Sequence, residues 1–193
     1  MARLIDGSKL ARIHAATLEL VVEKGYGGAS ISAIAKKAGV AEGYLYRFYN
    51  SKHDLVTSLL RTNMNNLIVK LNEFLVLHSD IQKVIELLIY EFFVLAETVQ
   101  DEIRFIHVLM HDYTFQIAAS QREEIKILCE QVIEIGITRG GLHPNLTVEE
   151  VYSMVISYPI EFINLRIKGS FGKNGWNEAE KQKVVDFCLK SLK

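Results

Sequence analysis

The sequence contains only two cysteines and two prolines, and it has no long apolar run. Cys129 and Cys188 belong to no CxxC or Cys/His cluster, so we expect reduced, packed thiols rather than a disulfide or a metal site. The longest uncharged run, residues 25–35, has 11 residues, whereas a membrane span needs roughly 18. Residues 1–25 lack the apolar core of a signal peptide. The sequence therefore predicts a cytoplasmic protein without a membrane partner.

Recognisable catalytic patterns are also missing. The sequence has no Gly-rich phosphate loop after a strand, no nucleophile elbow, no recognisable carboxylate pair and no Ser/His/Asp order. Its hydrophobic fraction of 49% shows no strand-like alternation, and together with the scarcity of proline this favours an all-α fold. We therefore expect a helical binding protein without a cofactor, not an enzyme.

Residues 30–50 have the spacing of two short helices joined by a glycine turn. Four residues of the first helix share one face at steps of three and four, namely Ile31, Ile34, Ala35 and Ala38. Gly39 can adopt the left-handed conformation that ends this helix, because it has no side chain to clash. The buried side of the second helix is supplied by Val40, Leu45 and Phe48. This pattern is typical of a DNA-reading helix-turn-helix.

Charge is unevenly divided along the chain. Residues 1–60 contain eight Lys or Arg and five Asp or Glu, a net +3, which leaves 14 against 18, a net −4, for residues 61–193. An excess of this size also occurs on ordinary protein surfaces. It favours nucleic-acid binding only in combination with a motif such as the one in residues 30–50.

The segment of about residues 8 to 60 resembles the N-terminal domain of the TetR family of bacterial transcriptional repressors. An amphipathic helix before the motif stops at Lys24-Gly25. The motif ends in an aromatic cluster followed by a lysine, Tyr46-Arg47-Phe48-Tyr49-Asn50-Ser51-Lys52. The resemblance implies a helix-turn-helix DNA-binding domain over residues 1–53 and a helical effector-binding and dimerisation domain over residues 54–193.

The function implied by this resemblance is sequence-specific regulation of transcription. We expect a homodimer that binds double-stranded DNA at a palindromic operator. We expect it to act as a repressor, released when a small apolar or amphipathic effector binds. The alternative is a helical small-molecule-binding protein without DNA-binding activity.

Seven residues are candidates for DNA contacts: Ser30, Ser32, Glu42, Gly43, Tyr44, Tyr46 and Lys52. The Ser30 hydroxyl can cap the first motif helix, whose exposed amides can meet a phosphate. By resemblance, Glu42, Gly43 and Tyr44 occupy base-facing positions. Tyr46 and Lys52 match family positions that contact phosphates.

Two positions depart from the family's pattern. Ala41 stands where Ser or Thr commonly caps the second helix, a change that weakens a helix start by around 1 kcal/mol. Tyr44 stands where smaller residues are frequent. We expect it to contact a thymine methyl group or to stack on the DNA backbone.

Capping signals divide the rest of the chain into helices. They occur at Ser51–Asp54, Asp80, Ser120–Glu123, Thr147–Glu150 and Asn177–Glu180. We expect the second of these helices to reach about Thr98 and residues 102–118 to form an irregular, broken helical segment. Pro159 should kink the helix predicted for residues 147–168, because proline removes a backbone donor.

The helix predicted for residues 147–168 is apolar on two faces. One row consists of Val151, Val155, Tyr158, Phe162 and Leu165, and the second consists of Ile156, Ile160, Ile163 and Ile167. A helix that is apolar on both sides needs two partners. The family resemblance implies that one partner is a second molecule, so the second row is the predicted dimer interface. The alternative is a helix at the centre of a monomeric bundle.

Aromatic and methionine side chains in residues 61–193 can line an apolar effector pocket or serve as plain core. The pocket candidates are Phe93, Phe105, Met110, His111, Tyr158 and Phe162. His107 and His111, one helical turn apart, can also share a metal ion. A stable site needs at least a third ligand, which the sequence does not place. We therefore expect ordinary histidines and no bound metal.

Overall fold

The computed structural model describes residues 7–193, which form an all-α protein, as expected. The helices are α1 (Gly7–Gly28), α2 (Ile31–Ala38), α3 (Glu42–Leu45), α4 (Lys52–Leu77), α5 (Ile81–Thr98), α6 (Gln100–His111), α7 (Ala119–Arg139), α8 (Val148–Tyr152), α9 (Tyr158–Ile167) and α10 (Glu178–Ser191). A π-helical turn, Ser153–Ser157, joins α8 to α9. Among the described residues, no helix combines the length and apolarity needed to cross a bilayer.

Local signals set the helix ends around the motif. The regular path of α1 is interrupted at Gly25, whose φ of 73° confirms the predicted helix stop. The Ser30 hydroxyl accepts a hydrogen bond from the Ala33 N–H at 3.1 Å and so caps α2. Gly39 ends α2 with φ 66° and ψ 41°, the left-handed conformation that its lack of a Cβ allows.

Most predicted caps beyond the motif are confirmed. Asp80 caps α5, and Thr147 and Asn177 form full capping boxes at α8 and α10. The box predicted at Ser120–Glu123 is wrong, because α7 already begins at Ala119 and its cap, Ala118, makes no side-chain bond.

The segment expected to be irregular, residues 102–118, is a regular helix in its first part, where it belongs to α6, whereas residues 112–118 lie outside any helix. Helix α6 carries Asp101 and Glu102 in its first turn, where negative charge is favourable. Its buried apolar residues recur at helical spacing, namely Ile103, Phe105, Ile106 and Leu109. The histidine-rich composition of this stretch concealed that period.

The irregularity expected at Pro159 takes the form of a π-helical turn just before it. The Tyr158 N–H bonds to the Ser153 carbonyl, five residues back. Pro159 then stands at the start of α9. Proline has no N–H to donate, so an α-helical hydrogen bond would be lost at residue 159. The π-helical turn, with its hydrogen bond to the fifth residue back, comes directly before this position.

The chain divides into two compact units. The first, here called the motif unit, contains the residues up to Asn63 together with Arg104–Ile117. The second, the helical unit, contains Met64–Ile103 and Ala118–Lys193. The division therefore falls inside α4 and again inside α6, whereas the sequence predicted a single boundary between residues 53 and 54.

Candidate DNA interface and effector region

The short helix α3 is anchored on one side and open on the other. Leu45 is fully buried, whereas Glu42 and Gly43 are exposed. Ala41 makes no side-chain cap bond, as its lack of a hydroxyl predicted. The predicted base-facing turn is thus accessible on the surface of the motif unit.

The glycine at position 43 has no role in the internal packing of the described residues. A Cβ added there would meet no atom within 4 Å, and its backbone does not have a positive φ. Glycine costs about 1 kcal/mol relative to alanine inside a helix. Close approach of an external surface is a physical reason for glycine at this position, and a DNA groove is such a surface.

Tyr44 is held by its neighbours instead of projecting freely. Its ring lies 5.2 Å from the Phe48 ring, centroid to centroid. The Lys9 ammonium and the Arg47 guanidinium lie over it at 5.5 and 5.6 Å. Tyr44 remains part-exposed. The side chain therefore occupies a defined position beside α3.

The other predicted DNA contacts on the motif differ in their surroundings. The Ser30 hydroxyl is engaged in capping α2, as predicted. Ser32 is exposed, and Tyr46, just after α3, is 56% exposed. Ser32 and Tyr46 thus present polar atoms at the surface.

Lys52 has a structural role that sequence reasoning missed. Its ammonium donates a hydrogen bond to the Tyr26 carbonyl at 2.7 Å and lies 4.1 Å from the centre of the Tyr26 ring. Burial lowers the pKa of Lys52, while the nearby Asp112 carboxylate acts in the opposite direction. An ammonium has three donors, so the predicted phosphate contact remains compatible with this bond.

The Asp112 carboxylate caps the turn that follows Gly25. It accepts hydrogen bonds from the Tyr26 N–H at 3.0 Å and from the Thr114 N–H and hydroxyl at 2.9 and 2.5 Å. The Thr114 hydroxyl first, and then backbone N–H groups including that of Gly27, lower the pKa of Asp112. A residue just after α6 thereby fixes the end of α1.

Phe115 strengthens the same junction. Its ring makes an edge contact with Tyr26 at 5.0 Å and stacks on His53 at 5.5 Å. The His53 Nε2–H donates to the Gln116 carbonyl at 2.8 Å. We call residues 112–116 the α6 clamp, because they fasten the end of α6 to α1 and to the start of α4 within the motif unit.

The predicted pocket residues are divided between the two units. Phe105, Met110 and His111 lie in the motif unit, where Phe105 is fully buried. His111 and His107 lie with their rings 4.4 Å apart, and His111 Nδ1 donates to the His107 carbonyl at 2.9 Å. That bond occupies one ring nitrogen of His111.

In the helical unit the structure brings Phe93 and Phe162 together. Their rings make an edge contact at 6.2 Å, and the Trp176 ring contacts Phe93 at 5.3 Å. Phe93 is fully buried, whereas Phe162 and Tyr158 are part-exposed. Phe93 is therefore core, and the two part-exposed aromatics remain candidates for ligand contact.

A surface cleft of about 690 Å³ lies elsewhere in the helical unit. It is lined by Leu75, Val76, His78, Ser79, Asp80, Arg139 and Gly140. None of the predicted pocket residues belongs to this lining. The cleft thus gives no support to the predicted pocket.

The predicted dimer interface requires correction at two positions. Ile160 and Ile163 are 1% and 0% exposed within the single chain, so they pack in its own interior and the interface prediction for them is wrong. Ile156 and Ile167 are part-exposed. On α10, Phe187 is 50% exposed, and its ring lies 4.9 Å from that of Tyr158.

Comparison with known proteins gives a family match within the motif unit and curated relatives that match parts of the chain. The family model described as "Bacterial regulatory proteins, tetR family" matches residues 13–59. A curated relative, the "Fatty acid metabolism regulator protein" of Bacillus subtilis (strain 168), is 37% identical over 65 residues, which are 34% of each chain. The chain thus spans about a third of the length of that relative.

Solved structures share the fold over nearly the whole chain. A TetR family transcription regulator from Marinobacter aquaeolei VT8 has a TM-score of 0.79 at 16% identity, covering 97% of this chain and 96% of that one. The regulator FadR from Bacillus subtilis, in complex with stearoyl-CoA, has a TM-score of 0.70 at 21% identity, covering 95% and 100%. At these identities the likeness shows the fold alone.

Proposed function

We propose, from the premise that the chain belongs to the TetR family of bacterial regulatory proteins, that it is a homodimeric transcriptional regulator. The proteins it matches are named as regulators, and the proposal assigns no enzymatic activity to the chain. In this proposal it binds a palindromic operator and leaves it when a small apolar or amphipathic effector binds. The observation that carries the proposal is the open surface of α3 within the segment that matches the family.

The DNA-binding part rests on the geometry of the motif unit. The buried Leu45 and the left-handed Gly39 fix α3 relative to α2, so that Glu42 and Gly43 face outward. Polar groups on a protruding helix suit the major groove, where base edges carry the sequence code. Two such helices in a homodimer would read half-sites about 34 to 36 Å apart.

The effector class is suggested by the relatives. One is named as a regulator of fatty acid metabolism, and one structural neighbour was solved with stearoyl-CoA. Phe162 is a part-exposed aromatic group of the helical unit, suited to contact an acyl chain. We therefore infer that a long-chain acyl compound is the first effector class to test.

The α6 clamp supplies a route from effector to DNA. The first residues of α6 belong to the helical unit and its last residues to the motif unit. The clamp then holds the turn at Tyr26 and the start of α4. An effector that favours a different position of α6 would therefore change the contacts that hold the Tyr26 turn and the start of α4 in the motif unit.

The proposed dimer interface is the part-exposed apolar surface of α10, of α9 and of the π-helical turn before α9. Phe187 and Tyr158 form its centre, and Ile156 and Ile167 extend it. An aromatic pair at the surface, with Phe187 exposed and Tyr158 part-exposed, suits an interface core, where aromatic residues are enriched. In a dimer with two-fold symmetry, each molecule would place its α3 helix on one of the two half-sites.

Selection from a random duplex library tests the DNA-binding part. The expected result is enrichment of one palindromic sequence by the purified protein, with an affinity well above that for scrambled duplex. A protein with Gly39→Val is the matched control, because a β-branched residue is strained at this φ. Failure of the wild type to enrich any sequence would favour the alternative, a helical small-molecule-binding protein.

A further inference from the structure

A hydrogen bond connects α1 to the segment that follows α3. His14 Nε2 and the Tyr49 hydroxyl lie 2.7 Å apart, although the two residues are 35 positions apart in the sequence. Their rings are tilted against each other, with centroids 6.3 Å apart. Neither residue is among the predicted DNA contacts, and the spacing of the helix-turn-helix motif does not connect them.

The Tyr49 hydroxyl joins three parts of the motif unit. Tyr49 lies between α3 and α4, and its hydroxyl also bonds to the Ser58 side chain on α4. Burial lowers the pKa of His14, so its ring is neutral at neutral pH and Nε2 can accept the Tyr49 O–H. The hydroxyl oxygen can then accept a bond from Ser58. Together these bonds fix Tyr49 to α1 on one side and to α4 on the other.

The residues that follow α3 do not continue it as a regular helix. Helix α3 has only four residues, and its cap, Ala41, makes no side-chain bond. The Phe48 and Tyr49 N–H groups both donate to the Leu45 carbonyl, at 2.9 and 3.0 Å. Tyr46, three positions before Tyr49, is 56% exposed. The orientation of this exposed side chain therefore depends on how residues 45–49 are held at the Tyr49 end.

A segment that is ordered in the free protein binds DNA more tightly than one that must become ordered on binding. The ordering of side chains and loops at an interface costs free energy that reduces affinity. A hydrogen bond within the free protein removes part of that cost in advance. The bond between His14 and Tyr49 is part-buried, so water competes with it less than it would at the surface. The bond thus favours one arrangement of residues 46–49 before DNA is present.

We propose that His14 and Tyr49 are positioning residues for DNA binding, whose hydrogen bond holds residues 46–48 in the orientation in which Tyr46 contacts the DNA backbone. This inference rests on the proposed DNA-binding function. Neither His14 nor the Tyr49 hydroxyl touches the DNA in this arrangement. Their bond therefore sets affinity for any duplex, whereas sequence preference is left to α3.

The test is a double-mutant cycle in DNA affinity. His14→Leu, Tyr49→Phe and the double variant are titrated onto two labelled probes, a duplex recovered by the selection and a random-sequence duplex. Each single variant removes the same hydrogen bond, so we expect each to weaken binding about three- to tenfold on both probes. The double variant should lose no more than either single variant, because the bond can be removed only once.

A conservative variant and a matched control separate the bond from other effects of substitution. His14→Gln places an amide where it can reach the Tyr49 hydroxyl, and its affinity for both probes should be close to that of the wild type. Tyr113→Phe removes a hydroxyl from a fully exposed tyrosine of the same unit. It should bind both probes like the wild type.

Binding is measured well below the melting temperature of each variant, so that only folded proteins are compared. A lower Tm with wild-type affinity in Tyr49→Phe would show that the bond serves stability alone and would overturn the inference. Losses that add in the double variant, or a His14→Gln protein that binds as weakly as His14→Leu, would also overturn it. These results leave the proposed function intact, whereas a wild type that binds neither probe overturns the proposed function itself.

Discussion

The motif unit and the helical unit expose different kinds of side chain. Around α3 the motif unit presents Glu42, Tyr46 and Arg47, all exposed. The helical unit exposes large apolar side chains near its C-terminal end, with Phe171 81% and Phe187 50% exposed. The first surface suits a hydrogen-bonding, charged partner such as DNA, and the second suits another protein surface. We therefore expect DNA binding at the motif unit and protein–protein contact at the C-terminal end of the helical unit.

The units also differ in how their long-range contacts are made. The α6 clamp joins distant segments through one carboxylate, aromatic rings and backbone groups. The helical unit has clusters of ion pairs around two residues of α10: Glu180 bonds to Arg166 and Lys173, and Lys181 bonds to Glu97 and Glu178. The motif unit has a smaller cluster, in which Lys37 bonds to Glu19 and Glu23. The stability of the two units should therefore respond differently to pH and to single substitutions.

The largest effect is expected from a charge placed in the core of the helical unit. Ile160→Glu buries a carboxylate at a position that is 1% exposed, and the cost of several kcal/mol should unfold the unit. Phe187→Glu, at a half-exposed position, should leave the chain folded and dissociate the proposed dimer. Circular dichroism and sedimentation velocity measure both. If the Ile160→Glu protein were folded and monomeric, Ile160 would belong to the dimer interface after all, contrary to its burial within the single chain.

A smaller effect is expected from the clamp in the motif unit. Asp112→Ala removes a cap from the Tyr26 turn and should lower the free energy of unfolding by about 1 kcal/mol, measured by urea denaturation. Because hydrogen bonds lower the Asp112 pKa, its stabilisation is present above the ordinary value of 3.8 and is lost as pH falls through the folded-state pKa. Asp186→Asn, in the helical unit, is the control. Equal stability of Asp112→Ala and wild type would show that the clamp does not hold the turn.

The ion-pair cluster at Glu180 should make the stability of the helical unit depend on pH. Hydrogen bonds from Lys173, then Arg166 and the Asn177 N–H, lower the Glu180 pKa from 4.5 to about 2. The carboxylate therefore stabilises the fold above pH 4.5, and this contribution is lost as pH falls toward 2. Glu180→Gln should lower Tm at neutral pH, with the difference from wild type shrinking below pH 4.5. A difference in Tm that stays constant down to the acid limit of folding would contradict this reading.

The smallest effect is expected at the two thiols, both buried in the helical unit. Burial raises the pKa of Cys129 to about 11 and that of Cys188 to about 12. Neither forms an appreciable amount of thiolate near neutral pH. Iodoacetamide should leave both unmodified in the folded protein and label both in denaturant, as read by mass spectrometry. Rapid labelling of the folded chain would show that this core opens.

Sequence reasoning succeeded where structure depends on neighbours along the chain. The stop at Gly25, the Ser30 cap and the left-handed Gly39 each arise within one or two helical turns, and all were predicted. Their physical causes are a missing Cβ and a hydroxyl within reach of a backbone N–H. These local features of the motif therefore follow from the residue types and their spacing.

The features that sequence reasoning missed depend on contacts between distant residues. Asp112 and Tyr26 are 86 positions apart, and no local pattern pairs them. Ile160 and Ile163 have the spacing of an apolar stripe, which is the same whether the stripe faces the chain's own core or a second molecule. Ser120 satisfied a capping pattern, but the helix began before it.

The central claim is that effector and operator binding oppose each other, and calorimetric titration tests it directly. Stearoyl-CoA is titrated into the protein alone and into the protein saturated with the selected duplex, with coenzyme A lacking an acyl chain as the control. The account predicts that the duplex weakens stearoyl-CoA binding by about five- to 150-fold and that stearoyl-CoA weakens duplex binding by the same factor. Equal affinity of stearoyl-CoA for the free and the DNA-bound protein, or no binding to either, would contradict it.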